Sequence, residues 1–241
     1  QQRHRDWSLP RDPVLVLNAL HLGRCQLVRT ELPAAEVLAD LGGACAHSIA
    51  GALLWMGYPH PVREVTIVDL PPDQRMFVEK FDYLQNETTD WIEAGRTRVR
   101  YIHAPMTDLS VLADSSVDML WLGQSIEHIT QAEARRVYAE ALRVLKPGGY
   151  FCLDTPNRAI TRLQSPIGFI HPEHRHEYRP AELANQLTQA GLVVKRVLGI
   201  CPMPRSARAG RLYLQEILDH PEVSANADSA YFFYIESVKP E

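Results

Sequence analysis

The chain has no Cys-x-x-Cys pair, no excess of basic residues, no internal repeat and no apolar run long enough to cross a bilayer. Each absence removes a class of function. Cys25, Cys45, Cys152 and Cys201 are scattered, which reads as small apolar residues in a reducing compartment, not a disulfide frame or a zinc site. A formal net charge of −4 leaves no basic footprint for nucleic acid. The longest apolar stretch, residues 49–57, is too short to span a membrane. Residues 1–6 are polar and charged with no apolar signal core behind them, so the expectation is a cytoplasmic protein with no membrane partner. What is present is core-forming material: 46% hydrophobic and 22% charged residues over 241 positions, enough for one large α/β domain.

From Glu36 onward, short β-branched runs alternate with longer amphipathic ones, the pattern of βαβ units. Strands are expected at 37–41, 65–69, 99–103, 117–122, 150–154, 193–200 and 230–238. Helices are expected at 47–57, 73–86, 131–145, 180–190 and 211–220. The clearest is 131–145, where Ala134, Val137, Tyr138, Ala141, Leu142 and Leu145 recur at helical spacing. Lys146-Pro147-Gly148-Gly149 then supplies a stop and a tight turn. The fold class is therefore α/β, a Rossmann-like doubly wound sheet of seven strands, mostly parallel, with the aromatic last strand antiparallel. Residues 1–34 read as an N-terminal extension containing a helix near 15–28, and residues 35–241 as the domain itself. Whether the extension forms a lid or a homodimer contact stays open.

Between the first two expected strands lies Gly42-Gly43-Ala44-Cys45-Ala46, and the second strand ends on Asp69. Small residues in a strand-to-helix turn let a ligand approach the backbone and the helix N-terminus. An acid at the tip of the next strand can accept hydrogen bonds from both ribose hydroxyls. Together they point to a nucleoside cofactor, and at this stage NAD and S-adenosylmethionine serve equally well.

Three later segments separate the two ligands: Ala104-Pro105-Met106-Thr107-Asp108-Leu109, the apolar strand running through Gly123-Gln124 into Glu127-His128, and the Lys146–Gly149 turn. With these the sequence resembles the class I S-adenosylmethionine-dependent methyltransferases over roughly 36–238. That resemblance implies S-adenosyl-L-methionine as cofactor. It implies Asp40 and Gly42 at its methionine end, with Gly43 and Ala44 completing the loop. Asp69 would hold the ribose and Leu70 pack on adenine. Asp108 would accept from the adenine amino group, Leu109 would offer its backbone amide, and Gly123 and Gln124 would lie beneath the methionine portion. The departure is that the family's second and third loop glycines are Ala44 and Ala46 here. An NAD-dependent dehydrogenase would leave the Lys146–Gly149 turn and the Glu127-His128 pair without a role.

The acceptor side is expected in a loop at about 155–179, beyond the carboxyl ends of the strands. It carries His171, Glu173, His174, His176 and Glu177 in seven residues. Similar Thr-Pro-Asn and His-x-Glu-His segments resemble those of bacterial methyltransferases acting on sugars and other natural-product hydroxyls. A hydroxyl is a poor nucleophile at neutral pH and needs a base or a metal ion. His128, directly after the fourth strand, is the first candidate for that base, with Glu127 beside it and His171 and His174 as further candidates. If a cation such as Mg2+ takes part, Glu127, Asp154 and Glu173 are its candidate ligands. The function expected is O-methylation of a small hydroxylated acceptor, a sugar, glycoside or oligosaccharide being favoured. N- or C-methylation of a small metabolite is the enzymatic alternative, and a non-catalytic cofactor-binding or scaffold subunit the other.

Overall fold

The protein is described here by a computed structural model covering residues 13–75 and 87–241. In chain order the elements are α1 (Pro13–Thr30), β1 (Val37–Leu41), α2 (Gly51–Trp55), β2 (Glu64–Asp69), β3 (Ile92–Ala94), β4 (Thr97–His103), β5 (Val117–Gly123), α3 (Gln131–Val144) and β6 (Leu145–Pro156). There follow α4 (Arg158–Gln164), α5 (Pro180–Ala190), β7 (Val193–Pro202), α6 (Pro204–Ala209), α7 (Gln215–Asp219), β8 (Val223–Ser224) and β9 (Ala230–Val238). Among the described residues one sheet runs in the order β3-β4-β2-β1-β5-β6-β9-β7-β8. β4, β2, β1, β5 and β6 are mutually parallel, and β9 is antiparallel to both of its neighbours.

The sheet has nine strands, not the expected seven. The two additions are antiparallel edge strands, β3 on β4 and β8 on β7. With 3 and 2 residues respectively, they are too short to show an alternation of apolar and polar positions.

Central strands buried on both faces read as continuous apolar runs. That is why β2 and β5 were visible in the sequence: Val65, Ile67 and Val68 are buried, as are Met119 to Leu122. One face is covered by α1 and α2, through Leu20, Leu27, Val28, Leu53 and Met56 against Trp121 and Tyr234. The other is covered by α3 and α5, through Val137, Tyr138, Ala141, Leu183 and Leu187 against Phe151 and Phe233. Helix α3 starts on a capping box in which the Thr130 side chain accepts from the Glu133 amide while Glu133 accepts from the Thr130 amide.

Several expected boundaries move. The helix expected over 47–57 is helical only at Gly51–Trp55. Gly51 has φ +86°, a left-handed backbone that no right-handed helix can pass through. The Ala50 amide is also taken by the Ser48 hydroxyl. The helix expected over 211–220 shrinks to α7, because Gly210 at φ +59° terminates α6 and opens a loop. The Lys146–Gly149 turn lies inside β6 as an irregularity, with pairing jumping from Val117↔Leu145 to Met119↔Tyr150. Part of the expected 155–179 loop is helical as α4, capped by the Asn157 side chain on the Ala159 amide. Most of the helix expected over 73–86 lies outside the described residues; of its start, Pro72–Gln74 forms one 3-10 turn.

β1 sits between β2 and β5; the chain runs outward from β1 through β2 to β4 and then crosses back to β5, so the strand order reverses beside β1. A crevice opens beyond the carboxyl ends of such strands.

Candidate functional site

A cleft of about 580 Å³ occupies that crevice, within the usual range for small-molecule pockets. Gly42, Ala44, Ala46, Asp69, Leu70 and Gln124 line it, together with His128, Ile129, Glu173 and Arg175.

The β1 loop is tightly built. Gly42 has φ +75°, and a Cβ there would stand 2.5 Å from Ser125 Oγ. A Cβ on Gly43 would meet the Asp40 carboxyl carbon at 2.0 Å. Asp40 is therefore packed beneath the loop, 1% exposed, and does not line the cleft as the resemblance implied. Its Oδ2 accepts the Leu53 amide at 3.2 Å, and burial pushes its carboxyl up to about 7.

Asp69 does border the cleft and braces the loop. Its Oδ2 accepts the Ala44 amide at 3.0 Å and its Oδ1 the Leu70 amide at 2.7 Å. Burial pushes the Asp69 carboxyl up, against the pull of the Arg75 guanidinium and these two amides. Each carboxylate oxygen can accept a second hydrogen bond, which suits a ribose diol.

Beyond β4 the cleft wall runs through Ala104, Pro105, Met106 and Thr107. The two residues expected to hydrogen-bond with adenine lie off this wall. Asp108 is exposed, and its Oδ1 accepts the Ser110 amide at 3.1 Å. Leu109 is fully buried and donates its amide to Glu140 Oε2 at 3.1 Å. That amide is committed to holding the turn against α3.

At the floor, Gln124 adopts φ +55°, an unusual backbone for a non-glycine residue. Its Nε2 donates to Asp154 Oδ2 at 2.9 Å. Asp154 is fully buried and also accepts from Arg24, Nε to Oδ2 at 2.5 Å and Nη2 to Oδ1 at 3.0 Å. Gly123 gives room to this pair: a Cβ there would lie 2.7 Å from Arg24 Nη2 and 2.8 Å from Trp121 Nε1.

Beside His128 lies a corner of imidazoles and carboxylates. Ligating atoms of Glu127, His128 and His174 all lie within 4.8 Å of one another. His171 stands beside them, its ring centroid 5.4 Å from His174 and 6.1 Å from His128. Glu127 is 1% exposed, accepts the Thr155 hydroxyl at 2.9 Å, and is pushed by burial up to about 7. Burial, with the neighbouring His174 and His171, pushes His128 down to about 4; a hydrogen bond to the Glu173 backbone opposes this. His174 Nδ1 lies 2.8 Å from Glu177 Oε1. Glu177 is itself buried, yet hydrogen bonds from His174, Thr161 and the Ile170 amide outweigh burial and hold it below the usual carboxylate range.

Of the three cation ligands expected, only Glu127 belongs to this corner. Both Asp154 oxygens are occupied by Arg24 and Gln124, and Glu173 is exposed on the cleft wall. His176 bridges to Gln131 and Glu182, tying the loop to α3 and α5. Trp55 is 42% exposed and stacks on His47 at 4.6 Å.

Sequence reading missed Arg24 and Thr155, and it placed Glu177 in the acceptor loop without its role behind His174. Arg24 left a signal: it shares a helical stripe with Leu20, Leu27 and Val28, all buried, and an arginine in an apolar stripe demands a buried partner. Glu177 left none, since its place depends on how the loop closes on α4.

Residues 43–153 match a family of methyltransferase domains. A probable S-adenosylmethionine-dependent methyltransferase of Mycolicibacterium smegmatis is 36% identical over 132 residues, 55% of this chain and 49% of that protein. The chain thus spans about half the length of that relative. A ubiquinone biosynthesis O-methyltransferase of Xanthomonas euvesicatoria is 29% identical over 211 residues, covering 83% of this chain and 80% of that one. Among solved structures, an S-adenosylmethionine-dependent methyltransferase from Mesorhizobium loti superposes with a TM-score of 0.57 at 16% identity, over 93% of this chain and 100% of that one. At that identity the likeness concerns the fold.

Proposed function

We propose that this chain, by family a class I S-adenosylmethionine-dependent methyltransferase, transfers a methyl group to an oxygen of a small hydroxylated acceptor. The observation that carries the proposal is the Glu127–His128–His174 corner beside the cleft, 4.8 Å or less between its polar atoms. A nucleophile that is already basic, such as a neutral amine, has no use for such a cluster, whereas a hydroxyl must have its proton drawn off. The relative named as an O-methyltransferase, aligned over 83% of this chain, leans the same way.

The residues fit the cofactor. Gly42 opens the loop where a Cβ would collide, Asp69 presents a carboxylate braced by two amides, and Leu70 offers an apolar surface that is 38% exposed. The methyl groups of Ala44 and Ala46 stand where the family has glycine, and the cleft still holds about 580 Å³. The bound cofactor supplies an electrophilic methyl on a sulfonium. The chain's part is positioning: the loop and Asp69 hold one end, Gln124 is fixed by Asp154, and the acceptor meets the corner in line with the methyl.

His128 as a lone general base, the first expectation, is weakened by its surroundings. An imidazole pushed down to about 4 holds an abstracted proton poorly near neutral pH. The corner acts as a group, gathering donors where the acceptor hydroxyl must be made more acidic. A sugar, glycoside or oligosaccharide remains the favoured acceptor, because Glu133, Glu173 and Arg175 on the cleft wall offer several polar partners to a polyol.

The test is incubation with methyl-labelled cofactor and a panel of glycosides, phenols and amines, followed by product fragmentation. A methyl ether supports the reading. Label on nitrogen or carbon would establish the enzymatic alternative, and no measurable heat with S-adenosylhomocysteine in calorimetry would favour a scaffold.

A further inference from the structure

We propose that Glu127, His128 and His174 bind one divalent transition-metal ion, which receives the acceptor oxygen as a further ligand. Three features carry this, and none depends on the identity of the acceptor.

The first is the donor set. One carboxylate and two imidazoles converge within 4.8 Å. Neighbouring donors on a four-coordinate zinc lie about 3.3 Å apart, given metal–ligand bonds of about 2.0–2.1 Å, a gap that small side-chain rotations close. Two imidazoles with one carboxylate suit zinc, iron, manganese or cobalt, while magnesium prefers oxygen alone. Three protein ligands leave at least one position for an exchangeable oxygen.

The second is the set of partners behind the donors. His174 turns its Nδ1 to the buried Glu177 carboxylate at 2.8 Å. Held this way, a neutral ring carries its proton on Nδ1 and keeps Nε2 as its lone pair. The His128 ring stands edge-on to His174, centroids 4.9 Å apart. Glu127 is steadied by the Thr155 hydroxyl at 2.9 Å. Metal-bound histidines commonly show this carboxylate or carbonyl at the far nitrogen. Glu177 is held in turn by Thr161 Oγ1 at 2.5 Å and the Ile170 amide at 2.8 Å, so the loop from α4 to His174 is built around orienting that imidazole.

The third is access. Glu127 is buried and the His174 side chain is 7% exposed, but His128 lines the cleft. An ion here is enclosed on the protein side and open on the substrate side. Hydrophobic stacking of three histidine rings would explain proximity, but not a buried carboxylate among them or the hydrogen-bonded carboxylate behind His174.

What the ion does rests on the O-methylation reading. An acceptor hydroxyl coordinated to it loses its proton to cleft water more readily. The oxygen then attacks the methyl carbon, the new C–O bond forms as the C–S bond breaks, and the bonding pair remains on sulfur as a neutral thioether. The charge balances because the proton has already left.

The experiment uses the full chain, stripped with EDTA and dialysed, titrated with Co2+ by visible absorption and with Zn2+ and Mg2+ by calorimetry. Expected are one Co2+ or Zn2+ per chain and at least tenfold weaker binding of Mg2+. His174→Ala and Glu127→Gln should each weaken Co2+ binding at least tenfold. Glu177→Gln, which leaves the donor set intact, should weaken it by about tenfold. Should His174→Ala fail to fold, His128→Asn and Glu177→Gln carry the same test. No stoichiometric Co2+ or Zn2+, or binding indifferent to these substitutions, overturns the site. Ion binding without a methyl ether product would sink the O-methylation reading and support the site. Undiminished methyl ether formation by stripped protein would sink the metal's role and leave O-methylation standing.

Discussion

Arg24 reaches from α1, outside the span matched to the methyltransferase domain at 43–153, to a carboxylate buried beneath the cleft-lining Gln124. Its replacement tests whether that helix belongs to the site. In Arg24→Met the two Arg24–Asp154 hydrogen bonds, at 2.5 and 3.0 Å, disappear. Asp154, with 0% exposure, keeps only the Gln124 amide. Removing one partner of a buried ion pair costs about 3–5 kcal/mol, because an uncompensated charge stays behind. For a chain of this length each kcal/mol moves the melting midpoint by about 2–4 °C, so a drop of about 6–20 °C is expected. Asp154→Asn strands the Arg24 cation instead and should also destabilise. The double variant leaves no orphaned charge and should recover at least half of the summed loss. Urea unfolding followed by fluorescence and circular dichroism gives the cycle. Single variants costing under about 1 kcal/mol, or losses that simply add, would refute the argument that this pair is coupled and desolvated.

Gly42→Ala places a Cβ 2.5 Å from Ser125 Oγ on a φ of +75°; S-adenosylhomocysteine affinity should fall at least tenfold by calorimetry, and unchanged affinity would remove the loop from the cofactor site. Asp69→Ala removes the acceptor of the Ala44 and Leu70 amides and any charge-assisted bond to the cofactor, about 1.5–3 kcal/mol, so affinity should drop by about 10- to 100-fold. Asp40 offers a pH test. The folded state keeps its proton up to about 7 while the unfolded chain releases it near 3.8. Between those values the unfolded state binds fewer protons, and this group makes stability fall as pH rises. Asp40→Asn removes the effect, so the gap in melting temperature between variant and wild type should widen in favour of the variant from pH 4 to 7 and level off above. A gap independent of pH would show that Asp40 titrates normally.

Much of the fold was legible because the parallel strands are buried on both faces. β1 and β9 match the expected spans residue for residue, and α5 does as well. The α3 stripe at Ala134, Val137, Tyr138 and Ala141 showed which face meets the sheet. The failures at the site share a cause: they depend on contacts between residues far apart in the chain. Asp108 and Leu109 had the family's spacing, but the Glu140 carboxylate on α3 claims the Leu109 amide and the cleft wall passes through 104–107 instead. Asp154 looked like a free acid until Arg24, 130 residues away, filled both of its oxygens.

The order of strands and helices, the small-residue turn at Gly42–Gly43 and the acid at Asp69 were written in local pattern, because period and backbone freedom are properties of neighbouring residues. Which acids face the cleft and which are consumed beneath it was decided only on folding. So was the meeting of Glu127 and His128 with His174, 47 residues downstream of Glu127, because a side chain's protonation and availability depend on the dielectric and the partners that tertiary packing places around it.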